Sequence, residues 1–356
     1  MKKSPAFVCA VTLTLTAISS HAAAAGYRLI KSIPIPGDWA WDYIGMDSAH
    51  RHVLVSHGPQ LEILNADTYR IDGKIVAPGV DLSKPETLAG MSVRGGTSAA
   101  EIDRGFVVNS RDGSVSIFDL KTLKVLAVVK VGEDPDGYVY DPATKRGFTF
   151  SDRTKAASAV DLRDAKLAGT VPLGSKPEAA AADGKGHVFV NMQEMDMVAK
   201  IDSRKLVVEE NWPTAPCKQP TSMAMDTKTN RLFIGCRGNS PMLAVMDSSN
   251  GKIVTTLPIG IGTDAAAFDA EKRLAFTSNG EGTITVIREE SPEKFTVIDT
   301  VKTEPGARTM TLDAKTHRLF LITADRTTPP PAAAGQQTTR PEMVPGSYRV
   351  LVVSPE

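Results

Sequence analysis

One short pattern recurs along the chain and constrains its fold more than any other feature. The pattern is an apolar residue, any residue and Asp, then four or five mostly polar residues, then a short apolar run. Clear copies are AMDTKTNRLFIG from Ala224, TLDAKTHRLFLI from Thr311, VYDPATKRGFTF from Val139 and GMDSAHRHVLVS from Gly45. Turn-forming residues between two short β-prone runs predict a β-hairpin. The sequence therefore predicts a chain built from repeated hairpins.

The acidic residue in each hairpin turn marks the period of the repeat. Weaker copies bring the number of units to seven, and successive turn acids are separated by 54, 40, 42, 43, 43 and 44 residues. A period in the low forties with four short strands per unit is typical of a β-propeller blade. We therefore predict an all-β, seven-bladed β-propeller with four antiparallel strands in each blade. The predicted turn acids are Asp47, Glu101, Asp141, Asp183, Asp226, Asp269 and Asp313.

The two ends of the chain predict how the ring closes. The last unit has only three strand-like segments, and the segment from Tyr27 to Ile35 precedes the first unit without a blade of its own. We predict that this N-terminal strand joins the last blade, because closure removes an exposed sheet edge. Two segments interrupt the period. Residues 78–96 enlarge the connection into the second blade, and residues 325–346, rich in Pro, Ala, Gly, Gln and Thr, predict a flexible loop.

The first residues have the organisation of an export signal. Two lysines precede an apolar stretch over residues 6–18, and a run of small residues follows it. We predict a signal peptide over residues 1–25, with cleavage after Ala22 or Ala25, and a single propeller domain over residues 26–356. The apolar stretch is too short for a permanent membrane span. We therefore expect a periplasmic or secreted protein without a membrane span.

Charge and cysteine content narrow the classes of partner. Forty-one basic and 41 acidic residues give a formal net charge of zero, so no global field attracts nucleic acid or an anionic membrane. We expect a monomer whose partner is a small molecule or a periplasmic protein. Cys9 leaves with the signal, and Cys217 and Cys236 remain. Because the hairpin of the fifth blade returns Cys236 towards Cys217, we predict a disulfide between them.

Two segments carry a resemblance to a known family. FVVNSRDGSVSIFDLKTLKVLAVVKVGEDPDGYVYDP, from Phe106 to Pro142, resembles the YVTN repeat of bacterial β-propellers, and LAFTSNGEGTITVI from Leu274 is a second copy. The mature chain is similar to the YncE-like group of exported seven-bladed propellers. The resemblance implies the fold and export. It implies no particular activity, because the repeat consists of blade-forming residues.

Candidate site residues come from aligning the seven units, since nucleophile-elbow, HExxH and P-loop motifs are absent from the sequence. Five residues before the turn acids stand Asp42, Gly96, Asp136, Glu178, Thr221, Asp264 and Arg308. Because the first strand of every blade starts at the same mouth of the central channel, we expect these residues to surround that mouth. Loops between second and third strands add basic residues to the same face. The candidate ligand-binding residues are Asp42, His57, Arg111, Asp136, Arg153, Glu178, Arg237, Asp264 and Arg308.

The carboxylates at the mouth support more than one function. In the first interpretation the chain is an exported binding or scaffold protein with a ligand or partner site at the channel mouth. In the alternative, Asp42, Asp136, Glu178 and Asp264 hold a divalent cation such as calcium, which polarises a carbonyl in a lactonase or lyase. A third interpretation is docking to a redox protein through the arginines of this face. The same residues are also compatible with solvated charges at the rim of a wet channel.

Overall fold

The chain forms a closed ring of β-sheets. The computed structural model describes residues 26–84, 93–328 and 341–356. Within these ranges, 28 strands form seven four-stranded sheets in which all neighbouring strands are antiparallel, and the only helical segments are two single 3₁₀ turns. The prediction of an all-β, seven-bladed propeller is confirmed. The predicted signal peptide lies outside the described residues.

In blades one to six, the four strands follow one another in chain order from the channel outward. The N-terminal strand is β1 (Tyr27–Pro34). Blades one to three contain β2 (Ile44–Asp47), β3 (His52–His57), β4 (Gln60–Asn65), β5 (Ile71–Val76), β6 (Val93–Ala99), β7 (Arg104–Asn109), β8 (Ser114–Asp119), β9 (Val125–Lys130), β10 (Pro135–Asp141), β11 (Arg146–Ser151), β12 (Ala156–Asp161) and β13 (Lys166–Pro172). Blades four to seven contain β14 (Pro177–Ala182), β15 (His187–Met192), β16 (Met197–Asp202), β17 (Val207–Pro213), β18 (Pro220–Asp226), β19 (Arg231–Cys236), β20 (Met242–Asp247), β21 (Ile253–Pro258), β22 (Thr263–Asp269), β23 (Leu274–Asn279), β24 (Thr283–Ser291), β25 (Lys294–Lys302), β26 (Thr309–Asp313), β27 (Arg318–Thr323) and β28 (Arg349–Pro355).

The first and last parts of the chain close the ring together. β1 pairs antiparallel with β28 and is the outermost strand of blade seven, as the sequence predicts. The innermost strand of blade seven, β26, contacts the innermost strand of blade one, β2. At this junction the guanidinium of Arg51 donates to both carboxylate oxygens of Asp313, at 2.7 Å each. A bidentate ion pair therefore joins blades seven and one.

The core lies between the blades. The described residues contain seven apolar clusters, each shared by two neighbouring blades. Between blades seven and one, for example, Val53 and Val55 pack with Phe320 and Val352. The second and third strands of a blade are covered on both faces, which explains their nearly continuous apolar sequences. The apolar contacts that join neighbouring blades therefore lie between the sheets.

The turn acids shape the hairpins through their own hydrogen bonds. Asp141 accepts from the backbone N–H of Ala143 at 3.0 Å and from the hydroxyl of Thr144 at 2.7 Å. Asp226 accepts equivalent bonds from the backbone of Lys228 and the hydroxyl of Thr229. A carboxylate that bonds the backbone two residues later stabilises a turn. The repeated acid is thus a structural element of the hairpins.

Blade two departs from the sequence alignment. Glu101 lies in the 3₁₀ turn Ala100–Ile102 and accepts hydrogen bonds from Tyr140 and Lys145, so its assignment as a turn acid was wrong. The strand register pairs Ala99 with Arg104, where other blades pair their turn acid with the first residue of the second strand. The equivalent position in blade two is therefore Ala99. This hairpin has the same length as that of blade three, but it carries Ala where blade three carries Asp, and the alignment used the next acid, Glu101, two residues later.

The predicted disulfide is confirmed. Cys217 and Cys236 are bonded, with their Cα atoms 5.7 Å apart, and both are fully buried. The bond ties the end of β19 to the segment that precedes β18. Within the described ranges no helix is long and apolar enough to cross a membrane.

The two segments that interrupt the period are described only at their ends. In the second, Thr327 donates a backbone hydrogen bond to the carbonyl of Glu342 at 2.8 Å, so the two ends of this loop pair with each other. Residues 85–92 and 329–340 lie outside the described ranges. The flexibility expected of residues 325–346 stays a prediction.

Candidate ligand-binding site at the channel mouth

The corrected register of blade two produces a complete ring of seven equivalent positions. Counting five residues back from Ala99 reaches Arg94 instead of Gly96. In blades two to six the residue at this position lies at a β-bulge, because the pairing with the second strand shifts around it. A bulge redirects a side chain out of the regular alternation. We call these residues the mouth ring: Asp42, Arg94, Asp136, Glu178, Thr221, Asp264 and Arg308.

On one side of the mouth a single arginine contacts three acids. Arg94 Nη1 lies 3.0 Å from Asp42 Oδ2, and Arg94 Nε lies 3.6 Å from Asp136 Oδ1. The third contact joins Arg94 Nη2 to Asp134 Oδ1 at 3.4 Å. The Arg94 side chain is 22% exposed, so this charge sits largely within the protein. Blades one to three therefore contribute more acid than base.

The other side has the opposite composition. The carboxylate of Asp264 lies between Arg237, which contacts Oδ1, and Arg308, whose Nε lies 2.8 Å from Oδ2. Arg237 also donates from Nε to the carbonyl of Thr263 at 2.6 Å, which fixes its orientation. Asp264 is only 11% exposed, whereas Arg308 is 53% exposed. Two guanidinium groups therefore share one acid here.

Blades four and five connect the two sides through a polar chain. Lys176 Nζ lies 2.6 Å from Glu178 Oε1 and donates to the side-chain oxygen of Gln193 at 2.9 Å. The amide nitrogen of Gln193 in turn donates to the hydroxyl of Thr221 at 3.0 Å. The charges of Lys176 and Glu178 cancel, so this part of the ring is formally neutral.

Burial makes the carboxyls of the mouth ring hard to ionise. It raises the pKa of Asp42 to about 8, with a further contribution from Asp136, and Arg94 opposes the shift. Burial likewise raises the pKa of Asp136, Glu178 and Asp264. The charge of Asp264 adds to the rise at the other three acids, so carboxyls from opposite blades lie within electrostatic range. Asp42 is consequently mostly protonated at pH 7.

Two tyrosines and small apolar residues line the channel beside the ring. A cavity of about 140 Å³ is bounded by Tyr43, Tyr138, Asp264 and side chains that include Ala180 and Met310. The two tyrosine rings meet edge to face, with centroids 5.7 Å apart. They leave no room for a side chain at Gly95, because a Cβ there would lie 2.6 Å from Tyr138 Cε1. The mouth therefore combines charged groups with an apolar recess.

Three candidate residues do not belong to the mouth ring. His57 is fully buried, stacks on Tyr348 with centroids 4.2 Å apart and meets the edge of Trp39. Its side chain points into the interface between blades one and seven and not into the channel. Arg111 and Arg153 line a separate cavity of about 570 Å³ between blades two and three. They share the face of the mouth but lie outside the ring.

The carboxylates do not have the arrangement that a single metal ion requires. The described residues contain no group of three or more His, Cys, Asp or Glu side chains that could hold an ion. Asp42, Asp136, Glu178 and Asp264 each contact Arg or Lys instead. Hard cations such as calcium are bound through several converging oxygens. The geometry therefore fits an organic ligand that needs both donors and acceptors better than it fits a lone divalent cation.

Sequence reasoning missed five residues of this site: Arg94, Asp134, Lys176, Tyr43 and Tyr138. Arg94 was hidden by the two-residue error in blade two, and a register based on β6 and β7 would have found it. Lys176 stands two residues before Glu178, and Asp134 stands two residues before Asp136. Aligning the blades at this second position would have identified both residues. Tyr43 immediately precedes β2 and Tyr138 lies in β10, and no local pattern distinguishes them from core aromatics.

Comparison with known proteins supports the fold but assigns no family and no function. No family model and no curated protein matches the chain. Among solved structures, the chain is similar to one described as Kuenenia stuttgartiensis hydrazine synthase, at 12% sequence identity and a TM-score of 0.67. The match covers 81% of this chain and 94% of that one. At this identity the likeness concerns the fold, and folds of this kind host unrelated functions.

Proposed function

We propose that this chain is an exported, YncE-like binding protein that takes a small polar ligand at the mouth of its channel. The observation that carries the proposal is the mouth ring. Six of its seven positions bear charged side chains, and they lie next to an apolar recess. Sites that combine an apolar cavity with a few convergent polar groups are typical of small-molecule binding.

The energetic cost of the ring supports a functional role. Burying carboxyls until the pKa of Asp42 reaches about 8 opposes folding at neutral pH. Seven apolar clusters between the blades already stabilise the ring of sheets. A costly charged cluster that the architecture does not need is better explained by selection for binding.

Export is supported by the N-terminal sequence pattern and by the disulfide. Buried, bonded cysteines such as Cys217 and Cys236 persist in oxidising compartments, of which the periplasm is one. The divalent-metal lactonase or lyase remains the alternative. It needs three or four oxygens on one ion, and the ion pairs of the ring favour the binding function over it.

A ligand screen tests the proposal. Residues 26–356 would be screened by thermal shift against amino acids, sugars, organic acids, polyamines and the ions Ca²⁺, Mg²⁺, Mn²⁺ and Zn²⁺, with hits confirmed by calorimetry. We expect an organic hit whose affinity falls at least tenfold in Glu178→Gln or Arg308→Gln. Arg163→Gln, an exposed arginine in the β12–β13 turn, is the matched control and should bind normally.

Two outcomes would contradict the proposal. If no compound binds, or if the ring variants bind as well as the wild type, the mouth is not the ligand site. If a divalent ion binds stoichiometrically to the wild type and does not bind to an Asp136→Asn/Asp264→Asn double variant, the metal-dependent alternative replaces the proposed binding function.

A further inference from the structure

The charges at the mouth are unevenly distributed between its two sides. On one side, Arg94 and the three acids that it contacts, Asp42, Asp134 and Asp136, have a formal charge of −2. Blades five to seven contribute two bases and one acid around Asp264, a formal charge of +1. The mouth thus has an acidic end and a basic end, which together form an electric dipole.

The two ends of this dipole face each other. The acidic group is centred on Arg94 in blade two, and the basic group is centred on Asp264 in blade six. In a ring of seven, blades two and six are separated by three steps in one direction and four in the other. They therefore stand on opposite sides of the channel. The cavity of about 140 Å³ between them is bounded from both sides, by Tyr43 and Tyr138 of blades one and three and by Asp264 of blade six, so it is narrow enough for one small ligand to reach both.

We propose, on the basis of the binding function above, that the ligand is a small zwitterion of the amino-acid type. Its ammonium group lies at Asp136, its carboxylate lies at Arg308, and its apolar substituent enters the recess beside Tyr43 and Tyr138. Each of the three contacts rests on a separate feature of the site.

The acidic end presents a carboxylate that its ion pair does not fully satisfy. Asp136 Oδ1 faces Arg94 Nε at 3.6 Å, which is too long for a hydrogen bond, and it accepts no bond from the other described residues. Oδ1 is buried but 36% of the side chain is exposed, so Oδ2 is the oxygen open to a ligand at the mouth. An ammonium group offers three donors and a positive charge, so it bonds this oxygen and balances the acidic side.

The basic end presents an accessible guanidinium. Arg308 contacts Asp264 through Nε, and 53% of its side chain is exposed. Arginine recognises carboxylates through two parallel hydrogen bonds. Arg237, held by the carbonyl of Thr263, adds a second positive charge behind it. Two arginines beside one acid give this end an excess of base, which suits the carboxylate of a ligand.

The recess limits the size of the apolar substituent. At roughly 30 Å³ per water molecule, a cavity of about 140 Å³ holds four to five water volumes. Its apolar lining, which includes Ala180, Ala266 and Met310, favours a hydrocarbon group. A branched aliphatic chain of four carbons, such as that of leucine, is of suitable size.

A matched set of three probes tests the inference. Calorimetry would compare L-leucine with 3-methylbutylamine, which lacks the carboxylate, and with 4-methylpentanoate, which lacks the amine. The other common amino acids would be titrated beside them. We expect at least one amino acid to bind, and leucine to bind at least tenfold more tightly than either truncated probe.

Single variants then assign each end of the ligand. In Asp136→Asn the preference for leucine over 4-methylpentanoate should disappear, and in Arg308→Gln the preference over 3-methylbutylamine should disappear. Asp164→Asn and Arg163→Gln, both in the β12–β13 turn, are the controls and should preserve both preferences. Thermal unfolding of each variant verifies that it is folded.

The outcomes separate this inference from the proposed function. If a truncated probe binds as tightly as leucine, or if no amino acid binds while another screened compound binds through the ring, the zwitterion inference is overturned and the binding function stands. If no screened compound binds at all, both are overturned.

Discussion

Asp42 is expected to make the protein less stable as the pH rises. Its folded-state pKa is about 8, against an ordinary value of 3.8, mainly because the carboxyl is buried. Between these two values the folded protein holds a proton that the unfolded chain has released. The stabilising contribution is therefore complete below about pH 4 and is lost as the pH rises through about 8.

The change in unfolding free energy follows from the pKa shift of Asp42. Each unit of pKa difference corresponds to about 1.4 kcal/mol, so the whole shift amounts to about 6 kcal/mol. When the pH is raised from 5 to 9, the unfolding free energy falls over about three pH units, from pH 5 to the folded-state pKa of Asp42 near 8. The total loss is about 4 kcal/mol. Asp42→Asn cannot ionise and should avoid this loss.

Urea unfolding followed by circular dichroism at pH 5 and pH 9 measures the difference. The unfolding free energy of the wild type should fall by several kcal/mol more than that of Asp42→Asn over this range. Asp202→Asn is the control, because hydrogen bonds lower the pKa of Asp202 to about 2 and it is ionised throughout. Equal pH dependence in wild type and Asp42→Asn would refute the reasoning.

Three further predictions concern the ring itself. Replacing Cys217 and Cys236 by Ser opens a loop of about twenty residues and should lower the unfolding free energy by about 3 kcal/mol in urea titrations; unchanged stability would contradict the role given to the bond. Arg51→Gln leaves the buried carboxylate of Asp313 without its bidentate partner and should cost about 3 to 5 kcal/mol by the same assay, whereas a loss below 1 kcal/mol would show that the junction does not depend on it. Deleting Tyr27–Pro34 exposes the edge of β28 and should produce oligomers in light scattering; a stable monomer would argue against closure by β1.

The architecture was predictable because the blade repeats. Seven copies of one hairpin, each with its apolar runs, specify the number of sheets and their order without any long-range information. Closure by β1 was predictable for the same reason, since the count of strands in the last unit fell one short. The disulfide followed once the hairpin of blade five placed Cys236 near Cys217.

The candidate site was predictable only where the repeat is regular. Asp42, Asp136, Glu178, Asp264 and Arg308 follow directly from the five-residue offset. Arg94 did not, because blade two carries Ala99 at the position of the turn acid and the alignment used Glu101, two residues later. His57 was misplaced because the direction of a side chain at a strand end depends on which neighbour it packs against.

The central claim is that ligand binds at the mouth ring, and hydrogen–deuterium exchange with and without the best-binding compound tests it most directly. The account predicts slower exchange at the starts of the innermost strands, from Val93 in β6 to Thr263 in β22, with little change at the β12–β13 turn. Protection confined to the cavity between blades two and three, or to the outer strands, would place the ligand elsewhere and contradict the claim.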